Sequence, residues 1–82
     1  MLDNIELQWL LSFQKVFEQL SFKRAAELCQ IPKSNVSRHV ALLEQALNVR
    51  LLERTTRKMV ATEAGELLYQ NLTPLLVAMG DV

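Results

Sequence analysis

The stretch Ser21–Val40, SFKRAAELCQIPKSNVSRHV, decides how this chain folds. It reads as two short helices with a tight break between them. Ser21 is placed to cap the first, its hydroxyl accepting a backbone N–H from the opening turn. Ala25, Ala26, Leu28 and Cys29 give that helix a small apolar face. Ile31-Pro32 ends it, because proline disfavours helical geometry in the residue before it and has no N–H of its own. A second helix opens at about Lys33. Val36, Val40, Leu43 and Leu47, spaced four, three and four, form its buried stripe. At about 100° per residue, that stripe leaves Ser34, Arg38, Ala41 and Gln45 facing away from the core, flanked by Asn35 and Ser37. A helix whose exposed N-terminal half is small, polar and basic fits the DNA major groove. Residues 21–40 are therefore read as a helix-turn-helix.

Length and composition bound what surrounds this unit. A chain of 82 residues, half of them apolar, with two Gly and two Pro, is one small helix-rich domain. A domain of this size buries only roughly 60% of its unfolded surface and gains from association. A single cysteine, Cys29, forms no internal disulfide and reads as a buried structural thiol. No apolar run approaches the roughly 20 residues of a membrane span, and no signal peptide is seen, so a cytoplasmic protein is expected. The formal charge of zero averages unlike segments. Residues 1–20 sum to −2, residues 21–60 to +5 and residues 61–82 to −3. A cationic middle is compatible with a nucleic-acid face, the alternative being a solvated surface of mixed sign.

Before the helix-turn-helix, Asp3 and Glu6 are spaced as a capping box for a helix running to about Gln19. Ile5, Trp9, Leu10, Phe13, Val16 and Phe17 make its apolar side, with Leu7 and Leu11 on another. Gln8, Ser12, Lys15 and Gln19 make its wet side. So wide an apolar surface predicts cover from two directions. Leu20 and Phe22 are expected to close the loop that follows. After Leu47, Asn48 suits the left-handed position just past a helix end. Glu44 is poorly placed against the helix dipole there, which predicts a cationic partner in Arg50 or Arg54.

Val49–Ala61 changes character. Apolar Leu51-Leu52 and Met59-Val60-Ala61 flank polar Glu53-Arg54-Thr55-Thr56-Arg57-Lys58. This reads as two short strands and a basic turn, a wing of about residues 50–61. Arg57 and Lys58 near its tip would reach a phosphate or the minor groove, unless the turn is merely solvated. Thr62 then caps a last helix, with Glu63 and Glu66 favourable in its first turn. Ala61, Gly65, Leu68, Leu72, Leu75, Met79 and Val82 alternate steps of four and three, a heptad seam. Leu67, Tyr69, Leu76 and Val77 lie off it, available to the first helix. Pro74 lies opposite the seam and predicts a bend around whatever the seam touches. Two covers are open for the seam: the chain's own core, or a second subunit, with Leu68, Leu72, Leu75, Leu76 and Met79 as the dimerisation set.

These residues resemble the N-terminal DNA-binding part of a LysR-type transcriptional regulator. The resemblance is carried by Ser21-Phe22, Arg24-Ala25-Ala26, Leu28, Ser34, Val36-Ser37-Arg38 and Leu43-Glu44. It continues through Leu47, Val49, Arg50-Leu51-Leu52, Arg54-Thr55-Thr56-Arg57 and Thr62-Glu63-Ala64-Gly65. It implies a mainly α fold, a winged helix-turn-helix of three helices and a two-stranded wing over residues 1–61. A long linker helix for dimerisation over 62–82 would follow. It also implies sequence-specific binding of double-stranded DNA, as a homodimer on a palindromic site, to regulate transcription. Matching positions make Ser34, Ser37, Arg38 and Arg57 DNA contacts and set Ser21 near the phosphate backbone. Lys33, where the family often has Gln, and Asn35 join Arg38 as candidates for base edges, and Arg54, Thr56 and Lys58 for the backbone. Pro32 stands where the family often carries a capping Ser, so the cap of the recognition helix is absent or shifted. Asn48 replaces the usual Gly and Leu52 the usual Phe. The family's sensor domain, which binds inducers and drives tetramers, has no counterpart in these residues, so neither a cofactor nor a small-molecule site is expected.

Catalysis is not supported. His39 is the only histidine and has no nucleophile or metal-ligand set in sequence around it. A winged helix used for protein–protein contact is the rival reading, and it predicts no salt-dependent affinity for DNA.

Overall fold

The computed structural model describes residues 5–55 and 58–80. Three helices, α1 (Leu7–Gln19), α2 (Phe22–Cys29) and α3 (Lys33–Leu47), precede a two-stranded antiparallel sheet. The strands are β1 (Leu52–Arg54) and β2 (Met59–Ala61), and α4 (Glu63–Ala78) closes the chain. Leu52 faces Ala61, Glu53 faces Val60 and Arg54 faces Met59. The fold is the winged helix-turn-helix expected, with a further helix behind it.

Local chemistry explains most of the boundaries. The Ser21 hydroxyl accepts from Arg24 N at 3.2 Å and starts α2. The Thr62 hydroxyl does the same for α4, accepting from Gly65 N at 3.0 Å. Asn48 ends α3 at φ 57°, the left-handed cap its side chain tolerates. Leu20 (φ 50°) and Gln30 (φ 61°) end α1 and α2 in that conformation too. Leu20 is thus a helix end, half exposed, and not the apolar closure expected of it. The start of α1 also differs from expectation. Glu6 precedes the helix in extended geometry and makes no side-chain cap bond, and Asp3 lies outside the described residues.

Phe13, Val16, Ala25, Val36, Val40, Leu43, Leu51 and Leu76 form the centre of the core. Leu28, expected on the buried face of α2, is exposed. Two polar residues of α1 go inside. Ser12, expected on the wet side, is buried because its hydroxyl meets His39 Nδ1 at 2.8 Å, which also fixes α1 against α3. Gln14 is buried as well, its Nε2 without a hydrogen-bond partner among the described residues.

The last helix docks through Gly65, Leu72 and Leu76. Gly65 is buried against the Leu51 carbonyl, so closely that an added Cβ would overlap it. Gly65 therefore belongs to the chain's own packing and not to an outward seam. Further along, Tyr69 stacks on Phe17 (centroids 4.1 Å apart, 12° between planes), and its hydroxyl donates to Glu18 Oε2 at 2.6 Å. That bond, reinforced by burial, raises the Tyr69 phenol above its ordinary pKa. Pro74 sits within α4, which continues to Ala78.

Candidate nucleic-acid interface

Lys33, Ser34, Asn35 and Arg38 are exposed on the first turns of α3, and Ser37 is half-buried beside them. This follows from the stripe opposite. Val36, Val40 and Leu43 are buried, so residues about half a turn away must face outward. Pro32 occupies the N-cap position and supplies no side-chain bond, so the cap is absent. Its carbonyl accepts from Asn35 N at 3.0 Å and Val36 N at 3.2 Å. The positive end of the helix dipole, with Lys33 at its first residue, is open to an anion.

The wing stands beside the recognition helix. Ser37 of α3 and Arg54 of β1 line one narrow cleft, together with Phe22, Glu44 and Arg50. The Arg54 guanidinium lies over the Phe22 ring, 4.8 Å from its centroid, which holds the charge at the junction of wing and α2. Arg50 approaches Glu53 at 4.0 Å, an exposed pair of little energetic consequence. Glu44 corrects an expectation. Neither arginine is its partner: Glu44 Oε2 accepts from Leu51 N at 2.8 Å and Leu52 N at 3.2 Å. Backbone amides beside the strand supply the positive charge that the helix end lacks.

At the far end of the hairpin, Thr55 N donates to Lys58 O at 2.8 Å and Lys58 N to the Thr55 hydroxyl at 3.0 Å. These bonds close the turn and leave Lys58 exposed. Thr56 and Arg57 lie outside the described residues. Ser21 is half-buried, with its hydroxyl engaged as the α2 cap. Lys23 and Arg24, exposed on the first turn of α2, add charge that was not assigned to the interface from sequence. Among the described residues no three His, Cys, Asp or Glu side chains gather to hold a metal, and no helix is long and apolar enough to cross a membrane. Burial raises the Cys29 thiol above its ordinary pKa, and nearby Lys15 opposes the rise.

The structure splits the expected dimerisation set. Leu72 and Leu76 are 5% and 1% exposed, buried in the chain's own core. Leu68 is half-buried, whereas Leu75 and Met79 are 62% and 60% exposed. Leu75, Leu68 and Leu72 border an apolar groove of about 190 Å³, closed on its other side by Ile5, Leu10 and Leu47.

Residues 7–66 match the family model for "Bacterial regulatory helix-turn-helix protein, lysR family". The HTH-type transcriptional regulator PgrR of Escherichia coli (strain K12) is 45% identical over 71 residues, 87% of this chain and 24% of the relative. The HTH-type transcriptional regulator TtuA of Agrobacterium vitis is 42% identical over 72 residues, 88% of this chain and 24% of the relative. The chain thus spans about a quarter of the length of these relatives. Among solved structures, a crystal structure of the BenM_DBD/catB site 1 DNA complex superposes with a TM-score of 0.87 at 36% identity. The match covers 92% of this chain and 84% of that one. Corynebacterium glutamicum OxyR, in its oxidized form, superposes with a TM-score of 0.88 at 34% identity, covering 94% of this chain and 24% of that one.

Proposed function

Since the chain belongs to the LysR family of bacterial regulatory helix-turn-helix proteins, a family of regulators and not of enzymes, we propose that it binds double-stranded DNA sequence-specifically to regulate transcription. The observation that carries this reading is the row of exposed Lys33, Ser34, Asn35 and Arg38 on an uncapped helix, on the same scaffold as a domain solved bound to DNA. In this reading residues 1–61 are the DNA-binding unit and residues 62–82 the dimerisation helix. Arg38, Asn35 and Lys33 read base edges in the major groove. Ser34, Ser37, Ser21, Arg54, Thr56 and Lys58 position the phosphate backbone, and Arg57 enters the minor groove. Ser21 acts from its capped position, where α2 presents its N-terminus.

Two copies would place two recognition helices on a palindromic site. The exposed Leu75 and Met79, beside the apolar groove, are where the second copy would seat. A regulator of this kind acts in the cytoplasm, at the nucleoid.

Random-site selection followed by salt titration tests the assignment. Arg38→Ala is expected to lose about 1–3 kcal/mol of discrimination at one base pair. Lys58→Ala is expected to weaken all sequences alike and lower the salt slope by about one. Equal weakening of selected and random duplex by both variants would remove α3 from the reading role. Affinity insensitive to salt would favour a protein-binding winged helix instead.

A further inference from the structure

We propose that Glu44 is a positioning residue for the wing. Its carboxylate, carried on the recognition helix, sets the angle from which the wing meets DNA. The inference rests on the reading above that the wing is a DNA contact.

Glu44 joins α3 to the next element twice. Its backbone carbonyl accepts from Val49 N at 3.1 Å and closes the helix end. Its side-chain Oε2 accepts from Leu51 N and from Leu52 N, the latter the first residue of β1. A half-buried carboxylate near a helix C-terminus is disfavoured by the dipole and by desolvation. Two charge-assisted bonds to amides offset both. Of the nearby cations, Arg54 lies over Phe22 and Arg50 makes only an exposed pair with Glu53, neither pairing with Glu44. The carboxylate is therefore committed to the strand.

The opposite side of the same segment is held by α4. The Thr62 hydroxyl donates to Arg50 O at 2.6 Å, and Thr62 N donates to Leu51 O at 3.0 Å. Without the Glu44 bonds, the polar ties of residues 50–52 run to Thr62 and to the partner strand. The wing would then follow α4 and not the recognition helix. Because Ser37 and Arg54 share one cleft with Glu44, a small change in strand angle moves the Arg54 charge relative to the face of α3.

The test is hydroxyl-radical footprinting of the 82-residue chain on a duplex obtained by selection, together with hydrogen exchange of the free protein. Glu44→Leu keeps the bulk and removes the acceptor. It is expected to lose protection on the flanks reached by the wing and to bind roughly tenfold more weakly. Discrimination at the base pair read by Arg38 should survive. Glu44→Gln keeps an oxygen acceptor and should restore much of the flank protection, which a role in bulk packing alone would not predict. Full flank protection in Glu44→Leu overturns the proposal, as does failure of Glu44→Gln to restore any. If Glu44→Leu does not fold, Glu44→Gln decides. Exchange should quicken at the Leu51 and Leu52 amides while the α3 amides stay as in the parent, and unchanged exchange at Leu51 and Leu52 overturns the proposal. The double variant Arg57→Ala with Lys58→Ala separates the two layers. If it leaves the flanks protected, the wing reading itself fails. If it exposes them while Glu44→Leu does not, only the clamp fails.

Discussion

The two parts of α4 carry one continuous heptad pattern and meet different surroundings. Over residues 63–72, Gly65 lies on the Leu51 backbone and Leu72 is sealed into the core. Over residues 73–79, Leu76 alone turns inward, while Leu75, Val77 and Met79 stay open. An apolar face of uniform spacing is thus spent in two ways. Its first part completes this chain's own core, and its second part offers apolar surface of the kind that marks association sites. Periodicity identifies such a face but says nothing of what covers it.

The largest expected effects come from the buried positions of α4, Gly65 and Leu76. Gly65→Ala forces a methyl group into the Leu51 carbonyl, so α4 must lift off the wing. A loss of about 3 kcal/mol is expected, read as a lower urea midpoint. Leu76→Ala and Leu75→Ala then sharpen the contrast within one turn. The first should cost about 2–5 kcal/mol through the cavity it leaves. The second should change monomer stability by no more than about 0.5 kcal/mol. Leu75→Ala should instead weaken self-association, seen by sedimentation across a concentration series. Equal destabilisation by both would mean that the covered and open faces of this turn are not distinct. The smallest effect lies within the docked part, at Tyr69. Its hydrogen bond to Glu18 favours the neutral phenol in the folded state, so the folded pKa lies above the unfolded one. That contribution is fully present below pH 10, near the ordinary value of 10.0, and disappears as pH rises through the folded value. Tyr69→Phe should therefore remove part of the fall in stability measured as pH rises above 10.0.

Much of the fold was legible because its punctuation is local. Ser21, Pro32, Asn48 and Thr62 act on backbone groups within a few residues, and each stands at the helix end it signals. The exposed face of α3 was equally accessible, since burying Val36, Val40 and Leu43 dictates which residues remain outside. Leu20 and Gln30 were not legible as left-handed caps, because neither residue type carries that preference. The burial of Ser12 depends on His39, 27 residues away, a pairing that no helical pattern encodes. Glu44, expected to take a cationic partner in Arg50 or Arg54, takes the backbone amides of Leu51 and Leu52 instead. Backbone amides are present at every non-proline position and leave no compositional trace. In α4, Leu72 and Leu76 were grouped with Leu75 and Met79 because hydrophobicity does not distinguish a covered leucine from an open one.

Leu51 links these observations through its main chain. Its N–H is taken by Glu44 of α3, and its carbonyl accepts from Thr62 and forms the floor on which Gly65 rests. A joint made of peptide groups is indifferent to the side chain it carries. Sequence drift at position 51 can loosen the core without cutting this joint. The junction also removes a degree of freedom. The tilt of the last helix and the pitch of the wing are tied through the peptide groups of one residue, so a change in either is passed to the other.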